Sequence, residues 1–201
     1  MTKNNSFLLA FLFFLFAFTG CQTGKVVVPE KGLIFVTPQG KTIAVLDDWQ
    51  NAGRLRLYDR TGKIAAVVGS DREGGCLVLL NRDGQTAASL QSRPQGSQLA
   101  LHGKPGKGGA VLQAGDKGGA LKIFDPLGIM TCELSSDKSG GHLEINDAAY
   151  HPAVTLAVGT GGGGISVYDH KNRGAGCLYS GAKTGVCTLF DRTGKPVWMA
   201  P

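Results

Sequence analysis

The sequence predicts an all-β fold, a repeat array of about eight 22-residue strand–turn–strand units. Three observations lead there. One pattern recurs every 22 residues without a gap, in windows starting at residues 31, 53, 75, 97, 119, 141, 163 and 185. Within each window apolar and polar residues alternate, the period of a half-buried strand. Glycine supplies 31 of 201 residues, roughly twice its average share, and gathers at turns and window junctions.

The first element along the chain is an address rather than a fold. Lys3 provides a positive start, and Phe7–Phe18 is an unbroken run of twelve apolar residues. A spanning helix needs about 20, so the run fits the apolar region of an export signal. Phe18-Thr19-Gly20-Cys21 follows and resembles the lipobox of bacterial lipoproteins, with Phe18 where that family usually has an aliphatic residue. The resemblance implies that Cys21 carries lipid on its sulfur and becomes the first mature residue. Several acyl chains, each buried CH₂ contributing about 0.8 kcal/mol, would then hold the protein to a membrane. Gln22 rather than Asp follows the cysteine, which by likeness to enterobacterial sorting favours the outer membrane. The expected division is a signal peptide at 1–20, a lipidated tether at 21–30 and a β-repeat domain at 31–201. Within the tether, Val26–Val28 could add an edge strand that Pro29 ends.

Each position of the repeat has a physical reading. The third is Leu33, Leu55, Leu77, Leu99, Leu121, Leu143, Ile165 and Cys187. The fifth is Phe35, Leu57, Leu79, Leu101, Ile123, Ile145, Val167 and Leu189. Together they make the apolar side of a first strand. The seventh is mostly Asp or Asn (Asp59, Asn81, Asp125, Asp147, Asp169, Asp191), whose short side chain can bond the backbone of a turn. The tenth is mostly Gly, as at Gly62, Gly84, Gly106 and Gly194, because the turn needs a positive φ there. Asn172 tolerates that conformation; Tyr150 does not, so the sixth unit is expected to have a distorted turn. The sixteenth is mostly Leu, on a second strand.

Two geometries satisfy this pattern. In a hairpin with a four-residue loop, position five faces fourteen and three faces sixteen, all on one side. In a parallel β-solenoid each unit is one coil. A four-bladed propeller is a lesser option. The Asp-x-x-Gly-Lys turn favours stacked hairpins. Leu57-Tyr58-Asp59-Arg60-Thr61-Gly62-Lys63 and Leu189-Phe190-Asp191-Arg192-Thr193-Gly194-Lys195 resemble the Tyr-Asp hairpin repeats of bacterial Rhs-type surface proteins, as does Val167-Tyr168-Asp169. That resemblance implies a β-strip. It covers only the turn and flanking strand of three or four units.

No motif points to catalysis or to a cofactor. Gly159–Gly164 spells a dinucleotide fingerprint, but that fingerprint must open a helix, and another strand pattern follows here. Ser135-Ser136-Asp137-Lys138 and Lys183-Thr184-Gly185 echo motifs of penicillin-binding enzymes, yet both fall at turns. The Asp column could in principle form a carboxylate ladder for Ca²⁺; turn capping accounts for it without metal. His102, His142, His151 and His170 lie in different columns with no ligand spacing. Cys132 and Cys187 fall in core columns as buried thiols, and a bridge such as Cys177 with Cys187 is open in an oxidising envelope. Cys76 adds a fourth thiol. Trp49 and Trp198 stand near the two ends of the array, where they would cap the apolar stack or stack on sugars.

The net charge is +6, from 21 basic and 15 acidic residues spread along the chain. A nucleic-acid binder concentrates its basic residues on one face, so nucleic acid is not an expected partner. The densest spot, His102 to Lys107, is turn-like. The expectation is a non-enzymatic envelope lipoprotein, membrane-bound through Cys21, whose array is a structural or binding scaffold for a protein or glycan. The alternatives are a trimeric fibre or adhesin segment, in which three chains share the apolar faces, and a glycan-acting enzyme, which would need acidic residues converging on a groove.

Overall fold

The computed structural model describes Pro29, residues 32–104, 108–169, 171, 173–181 and 184–201. The signal and nearly all of the tether, Cys21 included, lie outside these residues, as do Gly106, His170, Asn172 and Lys183. The described residues are all-β. Sixteen strands pair with their sequence neighbours, every pair antiparallel, in one sheet. The first four hairpins are β1 (Leu33–Val36) with β2 (Thr42–Trp49), β3 (Ala52–Tyr58) with β4 (Ile64–Ser70), β5 (Gly75–Leu80) with β6 (Thr86–Arg93), and β7 (Gly96–His102) with β8 (Gly109–Gly115). The last four are β9 (Gly118–Phe124) with β10 (Met130–Asp137), β11 (Gly140–Asn146) with β12 (Pro152–Gly159), β13 (Gly162–Tyr168) with β14 (Gly174–Gly181), and β15 (Gly185–Phe190) with β16 (Pro196–Ala200). The antiparallel order excludes the parallel solenoid, and one continuous sheet excludes the separate blades of a propeller.

The register is the expected one. Leu55 faces Val68 and Leu57 faces Ala66 in the second unit; Leu143 faces Leu156 and Ile145 faces Val154 in the sixth. The turn differs from expectation. In the second unit Gly62 N donates to Asp59 O (3.1 Å) and Asp59 N to Lys63 O (2.8 Å), which encloses three residues rather than four. The register then shifts at Leu57/Tyr58, adding one unpaired residue on β4. That bulge restores the five-to-fourteen pairing. The fourth unit alone has the four-residue loop. Its position seven is Gly103, which has no side-chain acceptor to tighten the turn; Gly103 N bonds Gly108 O (2.8 Å) and the register runs without a shift.

The sixth unit corrects another expectation, because its turn is not distorted. Tyr150 takes a φ of 65° and keeps the bonds of its glycine counterparts, with Tyr150 N to Asp147 O at 3.1 Å and Asp147 N to His151 O at 2.8 Å. The turn imposes its geometry and the tyrosine absorbs the strain. Tyr150→Gly is therefore expected to stabilise the protein by about 1 kcal/mol, measurable as a higher urea midpoint.

Unit junctions are tighter still. Gly140 opens β11 at φ 144°, and a Cβ there would lie 1.6 Å from Val158 O. The same column holds Gly74, Gly96, Gly118 and Gly162, all at positive φ. Where the column holds Ala52 instead, the turn changes type: Gln50 and Asn51 take φ values of 57° and 62°. Two left-handed residues in a two-residue loop are a type I′ hairpin.

Candidate functional site

The turns along one edge display the Asp column. Asp191 Oδ1 accepts bonds from Thr193 N (2.7 Å) and Lys195 N (3.0 Å). Asp59, Asp125, Asp147 and Asp169 each accept from the second and fourth residues beyond them in the same way. Asn81 does so with Asp83 N and Gln85 N. Capping is thus the structural job of the column. Successive carboxylates stand two strands apart, about 9.6 Å, whereas the oxygens around one Ca²⁺ each sit about 2.4 Å from it. No group of three His, Cys, Asp or Glu gathers at metal-binding distance among the described residues.

These bonds hold the carboxyls of Asp59 and Asp191 below their ordinary value of 3.8, chiefly through the Thr61 and Thr193 hydroxyls. Asp147 is lowered by the His151 amide first, and Asp169 by the Arg173 side chain. A carboxyl lowered in the folded state binds fewer protons than in the unfolded chain at the same acid pH. The stability it contributes is complete above about pH 4 and is lost as pH falls through the folded value. The melting temperature is expected to be flat from pH 7 to 5 and to fall steeply below 4. Asp191→Asn, which keeps the Oδ1 acceptor as Asn81 does but loses the charge, is expected to keep the fold, to lower the neutral-pH melting temperature slightly, and to remove this residue's share of the acid sensitivity.

The faces of the sheet carry the less expected result. Positions three, five, fourteen and sixteen do share one face, but nothing covers it in the described chain, where each strand touches only its sequence neighbours. Leu112 and Leu134 are each 52% exposed and Leu178 is 54% exposed. The most buried residues, Val45, Ala100 and Thr188, belong to the opposite face instead. The apolar columns are therefore a surface and not a core. Pairing joins them into a continuous ridge, Leu99 to Leu112 to Leu121 to Leu134 and onward across the strands.

Cys132 and Cys187 sit on this apolar face and are half-buried rather than enclosed. The bridge between Cys177 and Cys187 is excluded. Cys177 faces Thr188 while Cys187 faces Leu178, so the two thiols are one residue out of register and point to opposite faces. Cys76 shares the opposite face with Cys177. Trp198 ends the apolar face on β16, as expected of a cap, yet is half exposed.

Trp49 does not cap the apolar stack. It lies on the opposite face beside Asp47, with the Arg54 guanidinium 5.0 Å from its ring centre. Asp47 takes two bonds from Arg54 (both 3.0 Å) and one from Arg56 Nη2. Its carboxyl is lowered first by the Arg54 bond. This pairing follows from the Gln50-Asn51 turn, which places Asp47 opposite Arg54. An Asn in a two-residue gap between strands was the signal available in the sequence.

His142 stands in β11, His102 ends β7, and His151 lies in a turn with Nδ1 3.4 Å from Asp147. Gly159–Gly164 forms a hairpin turn between β12 and β13 and opens no helix. Ser135–Lys138 runs from β10 into a turn, and Thr184-Gly185 leads into β15. No helix among the described residues is long and apolar enough to cross a membrane. No protein-family model and no curated protein matches the chain.

Proposed function

We propose that this chain is a non-enzymatic lipoprotein of the bacterial cell envelope, anchored through Cys21, whose sheet serves as a scaffold for a protein or glycan partner. The observation that carries the reading is the sheet itself. It presents repeated, equivalent positions along its whole length, as extended binding scaffolds do. The Phe18-Thr19-Gly20-Cys21 sequence supplies the membrane attachment. Trp49 with Arg54 on the polar face offers an aromatic surface suited to sugar stacking.

In cells fed an alkyne fatty acid, the wild-type chain is expected to take up label and fractionate with membranes. Cys21→Ser is expected to lose both. Label on the Cys21→Ser chain, or a soluble wild-type chain, contradicts the anchor. The scaffold is tested by affinity capture from envelope extracts: a specific partner whose binding falls on removal of single units supports it. Capture unaffected by any unit deletion contradicts it.

A second reading, a fibre or adhesin segment in which several chains share apolar faces, is favoured by the exposure of the leucine ridge.

A further inference from the structure

The apolar face has a shape that its own chain does not explain. Beside the leucine ridge, one row further toward the junction turns, runs a shelf of very small residues. Ser97, Ala114, Gly119, Ser136 and Gly141 pair in sequence along part of it, and the larger Val158 follows Gly141 in the row. The first position of the repeat, which forms half of this shelf, is glycine in six of eight units: residues 53, 75, 119, 141, 163 and 185. Glycine weakens a strand interior and often marks the close approach of another backbone or a ligand.

The intrachain geometry does not demand glycine at several of these places. Gly75 and Gly141 have no left-handed φ, unlike their neighbours Gly74 and Gly140. A Cβ on Gly141 or Gly53 would meet nothing within 4 Å, and one on Gly75 only Gly69 O at 3.9 Å. The space above the shelf is open in the single chain.

We propose that the occupant is a second copy of this chain, packed face to face so that the leucine ridge of each lies in the glycine–serine shelf of the other. Ridge and shelf are parallel, adjacent and of the same 22-residue period. A two-fold axis running between them brings each ridge over the partner's shelf, the isologous arrangement of a symmetric dimer. The four apolar columns contain no charged residue. Three rows about 7 Å apart, over fifteen strand spacings of about 4.8 Å, make a footprint on the order of 1,500 Å² per copy, against the roughly 800 Å² per partner of a standard interface.

The chain's own remaining apolar run is too short to cover that face. Phe7–Phe18, fully extended, reaches about 40 Å across a sheet about 72 Å wide. Among the described residues the sheet edges suit a closed pair better than an open fibre: β1 has four residues, and β16 begins at Pro196, both devices that blunt edge pairing.

The test uses residues 22–201, which retain all sixteen strands, and reads the four native thiols. Cys132 and Cys187 mark the apolar face; Cys76 and Cys177 mark the other. Light scattering is expected to give twice the chain mass at micromolar concentration. On dilution to monomer, maleimide labelling of Cys132 is expected to speed up about tenfold, with Cys76 and Cys177 unchanged. Gly75→Val with Gly141→Val fills open space without backbone strain, so it is expected to keep the β-sheet circular dichroism spectrum and become monomeric. A wild-type chain that stays monomeric at about 100 µM overturns the proposal. So does a trimer, a double variant that remains dimeric, or Cys132 protection that appears only on adding phospholipid vesicles.

Discussion

Removal of residues 119–140, one complete unit, is expected to leave a folded protein, whereas removal of Lys122 alone is expected to be far more disruptive. The longer deletion joins Gly118 to Gly141. Those two residues then occupy the places that Gly118 and Gly119 hold in the intact chain, the first with its positive φ and the second extended. Leu112 of β8 meets Leu143 of β11, both from the ridge, so every side chain keeps its face. Because each strand touches only its neighbours, stability is close to a sum over units and interfaces. The unfolding enthalpy should drop by roughly one-eighth, with cooperative melting retained. Loss of Lys122 instead shifts half of β9 by one residue, and a one-residue slip turns each side chain to the other face. Ile123 would point away from Cys132 and Ala110, its present neighbours. Circular dichroism and calorimetry on the two deletions compare the outcomes directly. Unfolding of the 22-residue deletion would contradict an additive array.

The second large effect is expected from Gly140→Ala, at about 3 kcal/mol of lost stability. The backbone at φ 144° is foreign to residues with a Cβ, and the added carbon would sit 1.6 Å from Val158 O. Relief requires breaking the pairing of Gly140 with Gly159 and opening that end of the ladder between β11 and β12. Gly141→Ala, one residue on, is the control. Its Cβ would meet nothing within 4 Å, and Ala lowers the entropy of the unfolded chain, so the change is expected to be neutral or stabilising by about 0.5 kcal/mol in the monomer. Urea denaturation of both variants separates the columns. Equal losses at residues 140 and 141 would mean that junction geometry does not set the glycine requirement.

Much of this fold was legible in the sequence because the signal repeats. The alternation of Leu55 and Leu57 with charged neighbours fixes a strand and its faces, and the Asp59-to-Gly62 spacing fixes the turn between strands. The partner of each strand then follows from adjacency. The bulge that follows every turn but the fourth unit's was not legible, since one unpaired residue leaves the apolar alternation on either side intact. Tyr150 was misread because its side chain resists the conformation that the Asp147 turn enforces. Burial was misread for a different reason. Alternation says that one side of a strand differs from the other, but not what lies over it. Leu112 and Leu134 therefore look like core residues in the sequence and stand on an exposed face in the sheet. The Asp47–Arg54–Arg56 cluster was hidden because none of the three belongs to a repeating column, and only the Gln50-Asn51 turn brings them together.

The open sheet itself is tested most directly by energy transfer between its edges. Dyes on Val36→Cys and Val197→Cys, in a chain whose other cysteines are replaced by serine and diluted into unlabelled protein, report the separation of β1 and β16. An open array predicts low transfer in the full chain and a stepwise rise as one and then two 22-residue units are deleted. High transfer in the full chain, unchanged by those deletions, would mean that the edges meet and that the sheet closes on itself.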